Sequence, residues 1–393
     1  MNILYILSGT TLQGGATKSF LTMLEAARNA GHNVAVVAPD NKEVTPFLRE
    51  SGVNVEVIPY RFAAWPLLVS TKDKLMFLPR LVRDFFLNRK ARRRITDFAR
   101  RFKADLIHDN TSVTDGGQFA ASHLGIPHVT HIREYGDKDF NLHIFNIRKR
   151  LNAPANHNVA ITRDIARYRR IDGSANCDVI YNGIIDTDSI HISSDKQPFF
   201  LYAGRIQEGK GIADLIEAYI AYSSSVSNPL PLKVAGGCAS PALMDSLTVR
   251  IKDAGADRKV EFLGALSDVA PLMSKAAAVI IPSLFEGFGR VMPEAMASGA
   301  LCVGRDTGGT HEQFENGLLL KKREIGLRFS TTTELTKILA EIDARYKAGD
   351  AFSDDSEYSR MILDAADTVK TLYTKEVYGK KILNLYERIS EKG

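Results

Sequence analysis

The feature that most constrains this chain is an alternation, run twice, of short apolar β-type segments with longer helical stretches. Stacked βα units around parallel sheets leave this pattern. The first series opens with NILYIL (residues 2–7), a loop holding Gly14 and Gly15, and an amphipathic helix through Phe20, Leu21, Leu24 and Ala27 that stops at Gly31. NVAVVAP, NVEVI, ADLIHDN, PHVTHI, NVAIT and DVIYN supply its further strands. From Asp186 the period fails in DTDSIHISSDKQP, which has the composition of an interdomain linker. A second series follows with strands FFLYAG, PLKVAGG, KVEFLG, AAVIIP and ALCVG, several of them ending in glycine, where a backbone turns tightly or meets a ligand. Two doubly wound α/β lobes account for this most economically. Ligands on such sheets bind beyond the carboxyl ends of the strands, so a site in a cleft between two facing lobes is expected.

The length, 393 residues, allows two or three domains, and 45% hydrophobic with 25% charged residues excludes disordered, collagenous and coiled-coil classes. Apolar runs such as Ala276 to Pro282 fall short of the roughly 18 residues that a membrane span requires. The start MNILYIL lacks the basic region of a signal peptide, so the cytoplasm is the expected compartment. Cys177, Cys238 and Cys302 lie far apart without metal-binding spacing, as buried thiols of a reducing compartment do. The net charge of +5 is unevenly spread: residues 72–103 hold twelve Lys or Arg against three Asp, an excess of nine, which leaves the remainder at −4. In that segment Leu78, Leu81, Val82, Phe85 and Phe86 share one helical stripe, Pro79 suits a first turn, and Arg80, Arg83 and Lys90 fall on the other side. Such a helix either packs on its own lobe with solvated arginines or adsorbs to anionic lipid.

Two clusters carry chemistry. In PSLFEGFGRVMPEAMASGALCVG (282–304), Glu286 falls in the loop after a buried strand, Gly287 and Gly289 flank Phe288, and Glu294 follows Pro293 on the first turns of a helix. Exposed glycine-loop amides favour an anion and carboxylates accept hydrogen bonds from hydroxyls, a combination suited to a phosphorylated sugar. The blander alternative is that Glu294 complements a helix dipole and Glu286 caps. In LYAGRIQEGKGIADLIEAY, Arg205 follows the strand end at Gly204, and Lys210 with Gly211 opens a helix. A planar guanidinium and a compact ammonium there can neutralise a pyrophosphate.

The pairing of these clusters, the later GGTHE (308–312) with NGLLL, VIYNGIID before the linker, and the first-lobe GGA loop together resemble glycosyltransferase family 4 over nearly the whole chain. The resemblance implies the GT-B fold, with two Rossmann-like lobes, and transfer of a hexose-type sugar from a nucleotide diphosphate sugar, a UDP-sugar foremost, with retention of configuration. It divides the chain into an acceptor-side lobe (1–185), a linker (186–198), a donor-nucleotide lobe (199–372) and a helix (373–393) returning to the first lobe. It places Arg205 and Lys210 on the donor diphosphate, Glu294 on the ribose hydroxyls and Glu286 on the donor sugar. Gly287, Phe288 and Gly289 supply main-chain contacts, Gly14, Gly15 and Ala16 meet the diphosphate from the first lobe, and His131 lies near the sugar. No cofactor or metal is implied, the donor being a substrate. The expected acceptor is a saccharide, foremost a lipid-linked one in surface-polysaccharide assembly, with residues 72–103 docking on an anionic membrane. Arg290 and the GGC at 236–238 depart from the family's commoner pattern.

Other classes fit less well. The loop GTTLQGGA lacks the G-x-G-x-x-G of a nicotinamide dehydrogenase. A two-lobed sugar-nucleotide epimerase needs no separate acceptor, and a soluble small-molecule acceptor is the alternative to a lipid. The basic segment lacks a nucleic-acid motif, so no nucleic-acid partner is expected. Asp137-Lys138-Asp139 and Asp186-Thr187-Asp188 spell DxD but lack the wider ligand set of a Mg²⁺ site.

Overall fold

The computed structural model describes residues 1–68, 70–193 and 195–391. The chain forms two units, Met1–Gly183 with Lys375–Gly393, and Ile184–Thr374. The first is built on seven strands: β1 (Asn2–Ile6), β2 (Asn33–Ala38), β3 (Asn54–Val57), β4 (Leu106–Asp109), β5 (His128–Ile132), β6 (Asn156–Ala160) and β7 (Cys177–Val179). They lie in the order β3-β2-β1-β4-β5-β6-β7, parallel throughout. The strand β1 is apolar at every position from Ile3 because both faces are covered. Ile3 and Tyr5 join Phe20 and Val36 on one side, while Leu4 and Ile6 join Val37 and Ile95 on the other. The helix Lys375–Ser390 belongs to this unit, with Tyr378, Ile382 and Tyr386 in the same cluster as Phe20. Gly379 permits its approach, since a Cβ there would stand 2.8 Å from that of Ala26.

The second unit holds β8 (Gln197–Ala203), β9 (Leu232–Ala235), β10 (Val260–Gly264), β11 (Ala276–Ile281), β12 (Cys302–Arg305) and β13 (Leu327–Phe329), in the order β10-β9-β8-β11-β12-β13, again parallel. The connectivity of both sheets reverses at a central strand pair, which puts two crossovers on opposite sides and opens a crevice at the carboxyl ends. In this unit the pair is β8 and β11. The strand β13 escaped the sequence reading because it is three residues long and has Arg328 at its centre.

The linker expected over 186–198 is a correction. That stretch falls within the second unit: the His191 N–H donates to the Ala297 carbonyl at 2.9 Å, and Lys196 Nζ donates to the carbonyls of Ser274 (2.6 Å) and Gly299 (2.5 Å). Most of its polar side chains face water, as a linker's would, while the His191 backbone and the Lys196 ammonium tie it to the second unit. Among the described residues no helix is long and apolar enough to cross a membrane.

Candidate active site

The second-unit residues gather at the carboxyl ends of β8 and β11. After β8, Gly204 leads to Arg205, an exposed residue whose carbonyl accepts the Tyr202 hydroxyl at 2.7 Å. Burial pushes that phenol far up from its ordinary range, so it stays a donor and fixes the turn. A 3-10 turn, Glu208–Lys210, then meets Gly211, which heads the helix Ile212–Ser225 at φ 66°. A Cβ on Gly211 would lie 1.9 Å from the Pro282 carbonyl oxygen, so this approach of the two strand exits requires glycine. The Leu284 N–H donates to the Gly209 carbonyl at 3.1 Å and closes the junction.

That junction sets Lys210 Nζ 2.5 Å from Glu286 Oε1, with the side chains 22% and 15% exposed. Partial burial makes the pair stronger than a surface ion pair while leaving both heads reachable. Gly289 takes φ 76° and turns the loop into the short helix Val291–Ala297. There Arg290 stands 3.4 Å from Glu294 Oε1, one turn apart. Gly287 is half-buried, whereas the Phe288 side chain is 3% exposed and sits edge-on to Tyr373, so its ring is core and only its backbone is offered.

Several supporting residues were not found by motif reading. The Gly309 N–H donates to the Glu286 carbonyl at 2.8 Å, and a Cβ on Gly309 would reach the Phe288 carbonyl oxygen at 2.5 Å. Gln313 Nε2 donates to the carbonyls of Phe288 (2.6 Å) and Gly289 (3.1 Å). Both lie on the helix Gly308–Lys321, so the GGTHE segment braces the glycine loop from behind. Its glycine pair was a usable signal; Gln313 was not, because nothing local marks an amide as aimed at a loop.

In the first unit, Gly14 is the N-cap of the helix Gly15–Asn29, with no side-chain cap. Gly14, Gly15 and Ala16 are exposed or half-buried there; the Gly14 N–H donates to the Thr11 carbonyl at 3.2 Å, and the amides of Gly15 and Ala16 open the first turn without intrahelical partners. His131 differs from expectation. It is 0% exposed, its Nδ1 is 3.2 Å from His108 Nε2, and Arg133 and Tyr378 close in beside it, so its ring cannot touch a sugar in this arrangement. His108 Nδ1 in turn meets the Tyr386 hydroxyl at 2.6 Å. Asp137 and Asp139 are structural: Asp137 bonds the Tyr168 hydroxyl, and Asp139 accepts the amides of Tyr135 (2.9 Å) and Gly136 (2.7 Å).

Comparison with known proteins follows the same division. Residues 13–188 match a family model described as Glycosyltransferase Family 4, and residues 185–326 one described as Glycosyl transferases group 1. The N-acetylgalactosamine-N,N'-diacetylbacillosaminyl-diphospho-undecaprenol 4-alpha-N-acetylgalactosaminyltransferase of Campylobacter jejuni is 31% identical over 153 residues, 37% of this chain and 40% of that protein. The O-antigen chain mannosyltransferase RfbU of Salmonella typhimurium is 33% identical over 157 residues, 39% of this chain and 42% of that protein. The matched region thus spans about two fifths of these relatives' length. The crystal structure of Anabaena HepE in complex with UDP shares the fold with a TM-score of 0.75 at 19% identity, over 99% of this chain and 100% of that one.

The buried histidines generate a pH dependence. Burial first, and the Arg133 guanidinium next, hold His108 and His131 well below the ordinary 6.5, so both are neutral in the folded chain. The unfolded chain binds protons there and the folded one does not, so stability is full above pH 6.5 and falls as pH drops below it, by about 1.5 kcal/mol for the pair between pH 7.5 and 6. The single tryptophan, Trp65, reports the first unit, and its urea midpoint should fall over this range. An unchanged or rising midpoint contradicts the neutral pair.

Proposed function

We infer that this chain is a glycosyltransferase, since residues 13–188 match the family 4 model and residues 185–326 the group 1 model on a fold shared with solved glycosyltransferases. On that premise we propose that it moves a hexose-type sugar from a nucleotide diphosphate sugar, foremost a UDP-sugar, to an acceptor hydroxyl with retention of configuration. The Lys210–Glu286 pair is the observation that carries the proposal. A sugar nucleotide joins a phosphate, which wants a cation, to a sugar, whose hydroxyls want an acceptor, across one C–O bond. A lysine and a glutamate 2.5 Å apart at two strand exits offer both at that spacing. The entering phosphate competes for Lys210 and releases Glu286 to a sugar hydroxyl. Arg205 adds a planar fork at the same strand end. Glu294 takes the ribose hydroxyls, its carboxylate steadied by Arg290. The UDP held by the Anabaena structure supports the choice of base.

In the reaction the bond from sugar C1 to the phosphate oxygen breaks while C1 bonds the acceptor oxygen on the same face. The acceptor proton passes to the leaving phosphate oxygen, so no separate protein base is needed. Negative charge grows on the diphosphate, where Arg205, Lys210 and main-chain N–H groups at the glycine loops meet it without reorganising. Removing one such donor typically costs about a hundred- to thousandfold.

The acceptor is a lipid-linked saccharide of surface-polysaccharide assembly, and the first unit docks peripherally on the anionic membrane that carries it. The names of the Campylobacter and Salmonella relatives support this class of acceptor. So does the long helix Phe77–Phe102. Its buried residues are Ala91, Ile95, Thr96, Phe98 and Ala99, whereas Leu78, Val82, Phe85 and Phe86 are exposed. The apolar stripe thus faces outward beside the basic excess, the arrangement of an interfacial helix.

Two outcomes test the proposal. In excess EDTA the wild type should keep its transfer activity, while Arg205→Ala, Lys210→Ala and Glu286→Ala each lose roughly tenfold or more in proteins that remain folded. Thermal unfolding should be lowered modestly where the Lys210–Glu286 pair is broken. Near-normal turnover in folded Lys210→Ala, or metal-restored activity after chelation, contradicts the assignment. Wild type should also co-sediment with phosphatidylglycerol vesicles at low salt and release as the screening length shrinks to about 8 Å at 0.15 M. Arg92 and Arg94 pair with Asp115 and Glu56, so the informative variant changes the exposed Arg89, Lys90 and Arg93 to Ser. Equal binding by that variant removes the electrostatic docking.

A further inference from the structure

The first unit contains a groove of about 810 Å³ between the long helix, the helix Gly116–Leu124 and the segment from Phe145 to Ala153. Its walls are apolar: Phe62, Val82, Phe85, Phe86, Phe119 and Phe145 line it. Four of these, Phe62, Val82, Phe85 and Phe86, are 45–62% exposed, and Phe119 is 44% exposed. Surface this apolar and this contiguous is kept where a ligand covers it.

The rim adds charge. Two carboxylates line the groove, but Asp115 is held by Arg92 and Asp84 by Arg83 at 2.8 Å. Lys149, exposed at the groove, remains for an anion, with Arg150 next to it. Arg150 is a built-in cation: its Nε donates to Gln118 Oε1 at 3.1 Å, Nη2 donates to the Thr114 carbonyl, and Nη1 is buried with no hydrogen-bond partner. Arg150 is thereby fixed at the groove, and the exposed Lys149 beside it is the cation that an outside anion can reach.

We propose that this groove seats the isoprenoid chain of the acceptor's lipid carrier, with its phosphate against Lys149, beside Arg150. The inference rests on the lipid-linked acceptor proposed above and assigns its chain and phosphate to named residues. A long chain laid along the apolar walls leaves one anionic end at the basic rim, which matches the distribution of charge. The docked acceptor is then oriented before its sugar is presented.

Trp65 supplies the readout. It is the single tryptophan, stacked on Phe77 at 6.0 Å and edge-on to the groove residue Phe145 at 4.9 Å. Titration with farnesyl phosphate, a soluble short isoprenoid phosphate, should change Trp65 emission saturably. Phe119→Asp should weaken binding roughly tenfold or more, and Lys149→Ala should weaken farnesyl phosphate but leave farnesol unmoved. Val82→Asp, on the opposite wall, serves if Phe119→Asp unfolds. Release of UDP from UDP-sugars, read on the same samples, should be the same in all these variants. Absence of a saturable change, equal affinity in the wall variants, or equal affinity for dihexanoyl-phosphatidylglycerol overturns the groove as an acceptor seat. Loss of UDP release in the wild type with farnesyl phosphate still bound strikes the transferase proposal and leaves the groove standing.

Discussion

The backbone of Gly211 lies against the Pro282 carbonyl, with 1.9 Å left for a Cβ that glycine does not have. Much else in the second unit follows from this contact between the exits of β8 and β11. It brings the ammonium of Lys210 onto Glu286, two residues that are 76 positions apart in the chain. Similar approaches repeat around it. A Cβ on Gly236 would reach the Gly204 carbonyl oxygen at 1.7 Å, and one on Gly309 the Phe288 carbonyl oxygen at 2.5 Å. Three glycines thus let neighbouring strand exits close on one another, which fixes the backbone positions from which the side chains between them start.

Both sheets were legible because their central strands are covered on two faces and read as continuous apolar runs, as with NILYI and AAAVII. The strand-exit positions of Gly204, Lys210 and Glu286 were legible for a different reason: each lies at or shortly after the end of an apolar run that closes in glycine or proline. What remained hidden depended on distant partners. The seclusion of His131 comes from Tyr378, His108 and Arg133, and Tyr378 arrives on a helix nearly 250 positions later. The polar segment at 186–198 resembles a linker in composition, yet its backbone and Lys196 bond carbonyls of the second unit. Neither fact has a local signature.

The basic segment shows the same limit in another form. Its helical stripe was visible in the spacing of Leu78, Leu81, Val82, Phe85 and Phe86, but spacing does not say whether a stripe packs inward or faces out. Packing settles it. Burial begins only at Ala91, so the first half of the helix leaves its apolar side as the wall of a groove while the second half anchors it on the sheet. One helix therefore combines a structural segment with an exposed one, and each half carries both ion-paired arginines (Arg80 and Arg83; Arg92 and Arg94) and an exposed one (Arg89; Arg93).

The central claim is that Lys210, released from Glu286, holds the donor's diphosphate. Calorimetric titration of UDP and UMP into wild type and Lys210→Ala tests it most directly, since the two nucleotides differ only in the phosphate that this lysine is assigned to meet. Wild type should prefer UDP by roughly tenfold or more, and the folded variant should lose most of that preference while its affinity for UMP changes little. A variant that keeps the full preference for UDP contradicts the account.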